Sequence, residues 1–138
     1  MRSAGDNALV PAHRDLHDKQ LLWDGSGLGV LDLDTTCLAD PALDPANLAV
    51  HARLRVAQGL WSSTAAAVVE VAAERVATAA GVDQERWRTA RQATLLRLVG
   101  VYAFRPRLSG LVAHWADRYW HTEEGLGPTV PTIRGERS

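Results

Sequence analysis

The sequence predicts a mainly helical protein with a small β-hairpin near its start, an α+β fold with about four helices. Before residue 43, short apolar runs alternate with turn residues, a pattern typical of short strands. After residue 43, apolar residues recur at helical spacing between capping and terminating residues. A two-stranded hairpin is marginally stable in water, so we expect it to lie against the helices, which supply most of the core.

The hairpin is predicted from two apolar runs that a glycine-rich turn joins. Residues 20–23 and 28–31 form the strands, and residues 24–27 form the turn. Antiparallel pairing across this turn would bring Gln20 and Asp32 close together at the open end of the hairpin.

The first two helices are predicted from the residues at their ends. The first runs from about Asp44 to Gly59, and Pro45 suits its first turn, where backbone N–H groups have no intrahelical partner. Ser62 caps the second helix, which extends to about Ala80.

The last two helices follow in the same way. Asp83 caps the third, whose apolar side includes Trp87 and Leu95, and Pro106 lies near its end. The fourth covers about residues 108–120.

The length of 138 residues fits a single domain, which we expect in residues 1–123. Its loop-and-hairpin part is residues 1–43 and its helical part is residues 44–123. Residues 124–138 are rich in Gly, Pro and Arg, and we expect a flexible tail there.

Composition and charge exclude several classes of protein. The net charge of -1 gives no support to a nucleic-acid-binding or membrane-binding surface. No apolar run is long enough to cross a membrane, and no signal peptide is visible. The single cysteine, Cys37, rules out an internal disulfide and favours a cytoplasmic protein. We interpret Cys37 as a small apolar loop residue.

Acidic and amide side chains gather around the predicted hairpin. Asp15 lies in the loop before it, and Gln20 and Asp32 lie at its open end. Such oxygen ligands suit Mg²⁺, which takes one or two of them from protein. Phosphoryl transfer also needs a carboxylate that positions the incoming hydroxyl.

Three motifs in register resemble a known family. His13-Arg14-Asp15, with Gln20 five residues after the aspartate, resembles the catalytic loop of the kinase fold. Residues 31–34, Leu-Asp-Leu-Asp, resemble its metal-binding segment, and residues 40–48 resemble the start of the next helix in aminoglycoside phosphotransferases and choline kinase-like enzymes. The resemblance is close over residues 9–55 and implies the C-terminal lobe of the protein-kinase-like fold.

This resemblance implies a role for each matching residue. Asp15 would be the catalytic base, and Asp32 the main Mg²⁺ ligand. Gln20 replaces the usual asparagine ligand and is one methylene longer. Asp44 would be structural, accepting backbone N–H bonds from the catalytic loop, and His13 would be architectural.

Three nearby residues are less specific. Asp34 is a further candidate for contact with metal or substrate, although we favour a role in stabilising its loop. His17 and Asp18 are interpreted as residues of a solvated turn.

The implied activity is transfer of the γ-phosphate of ATP or GTP, with Mg²⁺, to a hydroxyl of a small molecule. Only about twelve residues precede His13, so the resemblance implies a catalytic lobe without its N-terminal nucleotide-binding lobe. We therefore expect little or no turnover from the isolated chain. A separate N-terminal lobe, or self-association through an exposed apolar cleft in residues 9–35, is the expected partner interaction. Trp115 and Trp120 are interpreted mainly as core or helix-contact residues, and the resemblance implies that one of them could line the acceptor pocket.

Two other functions are open. One is a non-catalytic, pseudokinase-like binding module, because the nucleotide-binding lobe is missing. The other is a metal-dependent hydrolase, in which His13, Asp15 and His17 would share one side of an extended strand and bind zinc with further ligands.

Overall fold

The computed structural model describes residues 8–122. The predicted mainly helical architecture with a small β component is confirmed. The tail predicted at residues 124–138 lies outside the described residues. The strands are β1 Val10–Ala12, β2 Leu21–Trp23, β3 Leu28–Val30 and β4 Cys37–Ala39, and the helices are α1 Leu43–Ala57, α2 Ser63–Ala79, α3 Gln84–Ala103 and α4 Ser109–His121.

The strands of the described region form two small antiparallel sheets. The predicted hairpin is β2 with β3, in which Leu21 lies opposite Val30. Its turn is held by Asp24, whose Oδ1 accepts from the backbone N–H groups of Ser26 and Gly27, both at 2.8 Å.

A second sheet, formed by β1 and β4, was not predicted. Ala12 pairs with Cys37, so the interpretation of Cys37 as a loop residue is wrong. This pairing is hard to predict from the sequence because β1 and β4 have only three residues each and the whole hairpin separates them.

The helix ends agree with the predicted capping residues. The Ser62 hydroxyl accepts from the Ala65 N–H at 3.1 Å, and Asp83 accepts from the Arg86 N–H at 2.8 Å. Gly81 has a φ of 83°, a left-handed conformation that glycine adopts without steric cost. The chain therefore turns sharply from α2 into α3.

Helix α1 lies at the centre of the helical part. Larger apolar side chains of α1, α3 and α4 form one core cluster, which includes Val50, Leu54, Leu95, Leu98 and Val112. In the other cluster, which also contains Val82 and Trp87, the small side chains of Ala46 and Ala49 of α1 meet those of Ala73 and Ala77 of α2. Alanine at these positions allows the two helix backbones to approach closely.

The prediction that the hairpin lies against the helices is wrong. Leu22, Trp23 and Leu28 are each more than half exposed. Apart from the partly buried Leu21, every residue of its two strands is exposed. Polar contacts lie at its open end, where the His13 ring bonds to the Leu31 carbonyl and Gln20 meets Asp32. An exposed apolar surface within residues 9–35 is accordingly present.

Within residues 8–122, no helix is both long enough and apolar enough to cross a membrane.

Two adjacent leucines of α3 provide a test of the core. Leu95 is 1% exposed and Leu96 is 62% exposed. We expect Leu95→Ala to lower the free energy of unfolding by about 2–5 kcal/mol through lost burial and a residual cavity. Leu96→Ala makes the same change in helix propensity at an exposed position. It should change the free energy of unfolding by less than about 0.5 kcal/mol. Urea denaturation of both variants measures the difference, and equal losses would contradict the packing described.

Candidate active site

One face of α1 contacts the loop between β1 and β2. The contacts run along nearly the whole helix. Four polar residues form this α1 stripe: Asp44, Asn47, His51 and Arg55. Their spacing of three or four residues places them on one side of a helix. Asn47, His51 and Arg55 are buried, so the loop covers the stripe.

Asp44 anchors the start of the loop. Its carboxylate accepts from the backbone N–H of His13 at 2.6 Å and of Arg14 at 2.9 Å. Arg14 has a φ of 74°, a left-handed conformation that is uncommon for a residue with a side chain. Two charge-assisted bonds therefore hold the backbone in an unfavourable conformation immediately before Asp15.

The middle of the loop is held by an amide and a hydroxyl. The Asn47 side-chain amide donates to the Leu16 carbonyl at 3.0 Å. The Thr35 hydroxyl donates to the His13 carbonyl, also at 3.0 Å. With Asp44, these contacts fix the peptide groups on both sides of Asp15.

The end of the loop is held by an ion pair between Asp18 and Arg55. The Asp18 carboxylate lies 2.8 Å from a terminal nitrogen of Arg55, whose side chain is almost fully buried. Burial alone would raise the pKa of Asp18, but the hydrogen bond and charge of Arg55 outweigh it and hold that pKa below its usual value. The interpretation of Asp18 as a solvated turn residue is wrong, because its carboxylate pairs with a buried arginine. No motif in the sequence marks Arg55 as that partner.

His17 is also not a solvated turn residue. Its ring stacks on that of His51, with centroids 4.8 Å apart, and its Nε2 lies 3.7 Å from Asp15 Oδ2. Among residues 8–122, neither ring nitrogen of His51 has a hydrogen-bond partner. Burial, followed by the charges of His17, Arg55 and Arg97, lowers the pKa of His51 to about 4.

His13 connects the two acidic segments of the site. Its Nδ1 accepts from the Asp15 N–H at 3.3 Å, and its Nε2 bonds to the Leu31 carbonyl at 2.6 Å. Because Nδ1 accepts, Nε2 is the nitrogen that carries the proton and donates. The imidazole thus joins the Asp15 loop to the peptide group just before Asp32.

Asp32 and Gln20 meet at the open end of the hairpin. The Gln20 amide lies 3.4 Å from Asp32 Oδ2, and the Leu31 N–H donates to the Gln20 carbonyl at 2.8 Å. Gln20 lies in the short 3₁₀ turn Asp18–Gln20, immediately before β2 rather than within the strand. Asp32 has a φ of 57°, so it and Arg14 are the two left-handed non-glycine residues of the described region.

The donor set at Asp32 and Gln20 fits Mg²⁺. Adjacent ligands of an octahedral ion at about 2.1 Å are about 3 Å apart, close to the spacing of these two side chains. A half-turn of the Gln20 amide exchanges its oxygen and nitrogen and presents an oxygen beside Asp32.

Asp15 itself is reachable from solvent. Its side chain is 45% exposed, and its Oδ1 lies 3.3 Å from a terminal nitrogen of Arg97 on α3. Sequence reasoning missed Arg97 because it lies 82 positions from Asp15 and has no motif around it.

Asp34 is exposed, and no hydrogen bond joins its side chain to the rest of residues 8–122. The hydroxyls of Thr35 and Thr36 donate to backbone carbonyls here, the second to that of Leu33 at 2.6 Å. The role of Asp34 stays a prediction.

The described residues do not have the arrangement that a zinc site at His13, Asp15 and His17 would need. His13, Asp15 and His17 lie in a loop, not on an extended strand. Across residues 8–122, no three His, Cys, Asp or Glu side chains are grouped so that they could hold a metal ion.

Both C-terminal tryptophans pack against the core cluster of α1, α3 and α4. Trp115 also lines a mostly apolar groove of about 430 Å³ between α1 and α4, with Val56 and Leu111.

Comparison with known protein families identifies a match over most of the chain. The model of the phosphotransferase enzyme family (APH) matches residues 2–88. The match includes the whole loop, both sheets, α1 and α2, and it reaches beyond the motifs recognised in the sequence. No curated protein and no solved structure matches the chain.

The role of Asp44 as an anchor can be tested by Asp44→Asn. An amide has one oxygen, and its NH₂ group would face a backbone N–H, so the variant should lose about 1.5–3 kcal/mol of stability. Hydrogen exchange of the His13 and Arg14 amides should accelerate with it. The control Asp34→Asn makes the same charge change at an exposed position and should stay within about 0.5 kcal/mol. Unchanged protection of both amides in Asp44→Asn would contradict the anchor.

The buried His51 predicts a dependence of stability on pH. Unfolded histidine binds a proton below about pH 6.5, but folded His51 does so only near its lowered pKa of about 4. As the pH falls through this window the unfolded state binds more protons, so His51 should cost about 3 kcal/mol of stability.

The comparison of His51→Phe with the wild type isolates this effect. Phe keeps an aromatic ring for stacking on His17, and the variant should show a shallower pH dependence of the unfolding free energy between pH 4 and 6.5. The exposed control His114→Phe should keep the wild-type slope. Identical slopes in all three proteins would show that His51 does not titrate as described.

Proposed function

Because the chain belongs to the phosphotransferase enzyme family, we propose that it carries the catalytic centre of a small-molecule phosphotransferase. The reaction moves the terminal phosphoryl group of ATP or GTP to a hydroxyl of the acceptor. The observation that carries this proposal is the Asp15 loop. Its carboxylate is open to an acceptor, while the peptide groups around it are fixed by Asp44, Asn47 and Thr35.

Asp15 is the base in this proposal. Its Oδ1 is held by Arg97, and its Oδ2 lies beyond hydrogen-bond distance of His17, so Oδ2 is the oxygen that can accept the hydroxyl proton. A rigid backbone matters here because a general base acts only when it lies within hydrogen-bond distance of the proton.

Asp32 and Gln20 would hold Mg²⁺. The ion would neutralise charge on the nucleotide phosphates, which is its usual contribution to phosphoryl transfer. His13 supports this arrangement, since it ties the backbone before Asp32 to that of Asp15.

Partners and setting are also proposed. The exposed side chains of Leu22, Trp23 and Leu28 suit a covering partner that holds the nucleotide, either an N-terminal lobe or a second copy of the chain. The groove beside Trp115 suits the acceptor. The single cysteine supports a cytoplasmic setting.

The decisive variant is Asp15→Asn. In the protein that carries this chain, loss of the base should lower γ-phosphate transfer by about 10²- to 10⁴-fold. Transfer can be measured by ³¹P NMR with Mg·ATP or Mg·GTP and a panel of hydroxyl compounds. The nucleotide KM should change little, because Asp15 faces the acceptor.

The matched control is Asp117→Asn, an exposed carboxylate on α4 that should leave transfer unchanged. Transfer that is equally fast in Asp15→Asn would reject Asp15 as the base. Nucleotide binding without transfer in the wild type would favour the non-catalytic binding module instead.

A further inference from the structure

Arg97 lies beside the proposed base but has no role in the motifs that define the site. It projects from α3, in the second half of the chain, and meets Asp15 across 82 positions of sequence. Its side chain is 43% exposed. Ion pairs this open to solvent contribute little to stability, so the stability of the fold is a weak reason for an arginine here.

The guanidinium is nevertheless held firmly in place. One terminal nitrogen donates to Asp15 and the other donates to Asn47 Oδ1. Asn47 is 1% exposed, and its amide nitrogen is bonded to the Leu16 carbonyl. A fully buried amide thus bridges Arg97 to the catalytic loop, and the guanidinium is oriented before any ligand arrives.

Several donors of Arg97 remain for a ligand. Guanidinium has five N–H groups, and within residues 8–122 its acceptors are Asp15 and Asn47. The side chain is partly exposed and adjoins the carboxylate that would receive the acceptor hydroxyl, so the other N–H groups are available to a ligand bound there. Arginine is well suited to bind phosphate oxygens through paired N–H donors.

We propose that Arg97 is a further catalytic residue, which donates to an oxygen of the phosphoryl group while it is transferred. The inference rests on the proposed phosphotransfer. The acceptor oxygen forms a bond to the terminal phosphorus, and the bond from that phosphorus to the bridging oxygen breaks. The hydroxyl proton passes to Asp15, and the nucleoside diphosphate leaves with the electron pair. Charge on the phosphoryl oxygens therefore lies beside Arg97 throughout the step.

The test uses inorganic phosphate as the probe. Phosphate is titrated at constant ionic strength into the full ¹⁵N-labelled chain, and the Arg97 Nε–H and the amides of Arg14, Asp15 and Leu16 are followed by NMR. We expect saturable shifts at these positions in the wild type. Arg97→Gln should weaken binding about 10-fold or more, as expected for the loss of a charge-assisted hydrogen bond.

Two further variants separate binding from folding. Arg97→Lys keeps the charge without the planar fork and should recover part of the affinity. Arg75→Gln removes an exposed arginine from α2 and should bind phosphate like the wild type. Unchanged affinity in Arg97→Gln would overturn the inference, and so would absence of saturation at tens of millimolar phosphate. Shifts centred instead on Arg53 of α1 and Arg91 of α3, which line a separate pocket, would also overturn it. The titration measures phosphate binding and not phosphoryl transfer. Equally fast transfer by Asp15→Asn and the wild type would therefore count against the proposed function and not against phosphate binding by Arg97.

Discussion

The shape of the Asp15 loop depends on the polar stripe of α1. Each turn of the helix presents one side chain to one part of the loop: Asp44 to its start, Asn47 to its middle, His51 to the ring of His17, and Arg55 to its end. A loop of this length pays a large entropic cost for a single conformation, and one of its residues is left-handed. A helix already ordered by core packing on its other faces can offset that cost.

The same arrangement joins two segments that are distant in sequence. His13 bonds to Asp15 within its own loop and to the carbonyl before Asp32, at the end of the hairpin. The hairpin has almost no apolar support from the helices, so these polar contacts largely determine where Asp32 lies. Asp15 and Asp32, which we propose as base and metal ligand, are thereby kept in a fixed relation, while both carboxylates remain open to ligands.

The helix starts and the hairpin could be predicted from the sequence because residues close together in the chain determine them. Ser62 and Asp83 mark helix starts within one residue, and the hairpin turn brings Gln20 to Asp32 as predicted. Contacts between residues far apart in the chain could not be predicted from the sequence. Arg55 and Arg97 look like ordinary helix-surface arginines until the loop folds onto them, and the three-residue pairing of β1 with β4 is too short to leave a pattern.

We propose that Asp15, Gln20 and Asp32 belong to one centre that accepts a divalent ion. Paramagnetic broadening by Mn²⁺, an ion that binds the same oxygen ligands as Mg²⁺, can be measured for each amide of the ¹⁵N-labelled chain. We expect the amides of these three residues to broaden together at low Mn²⁺, and we expect Asp32→Asn to abolish the effect. Broadening centred elsewhere, for example at Glu70 and Glu74 of α2, or broadening unaffected by Asp32→Asn, would contradict it.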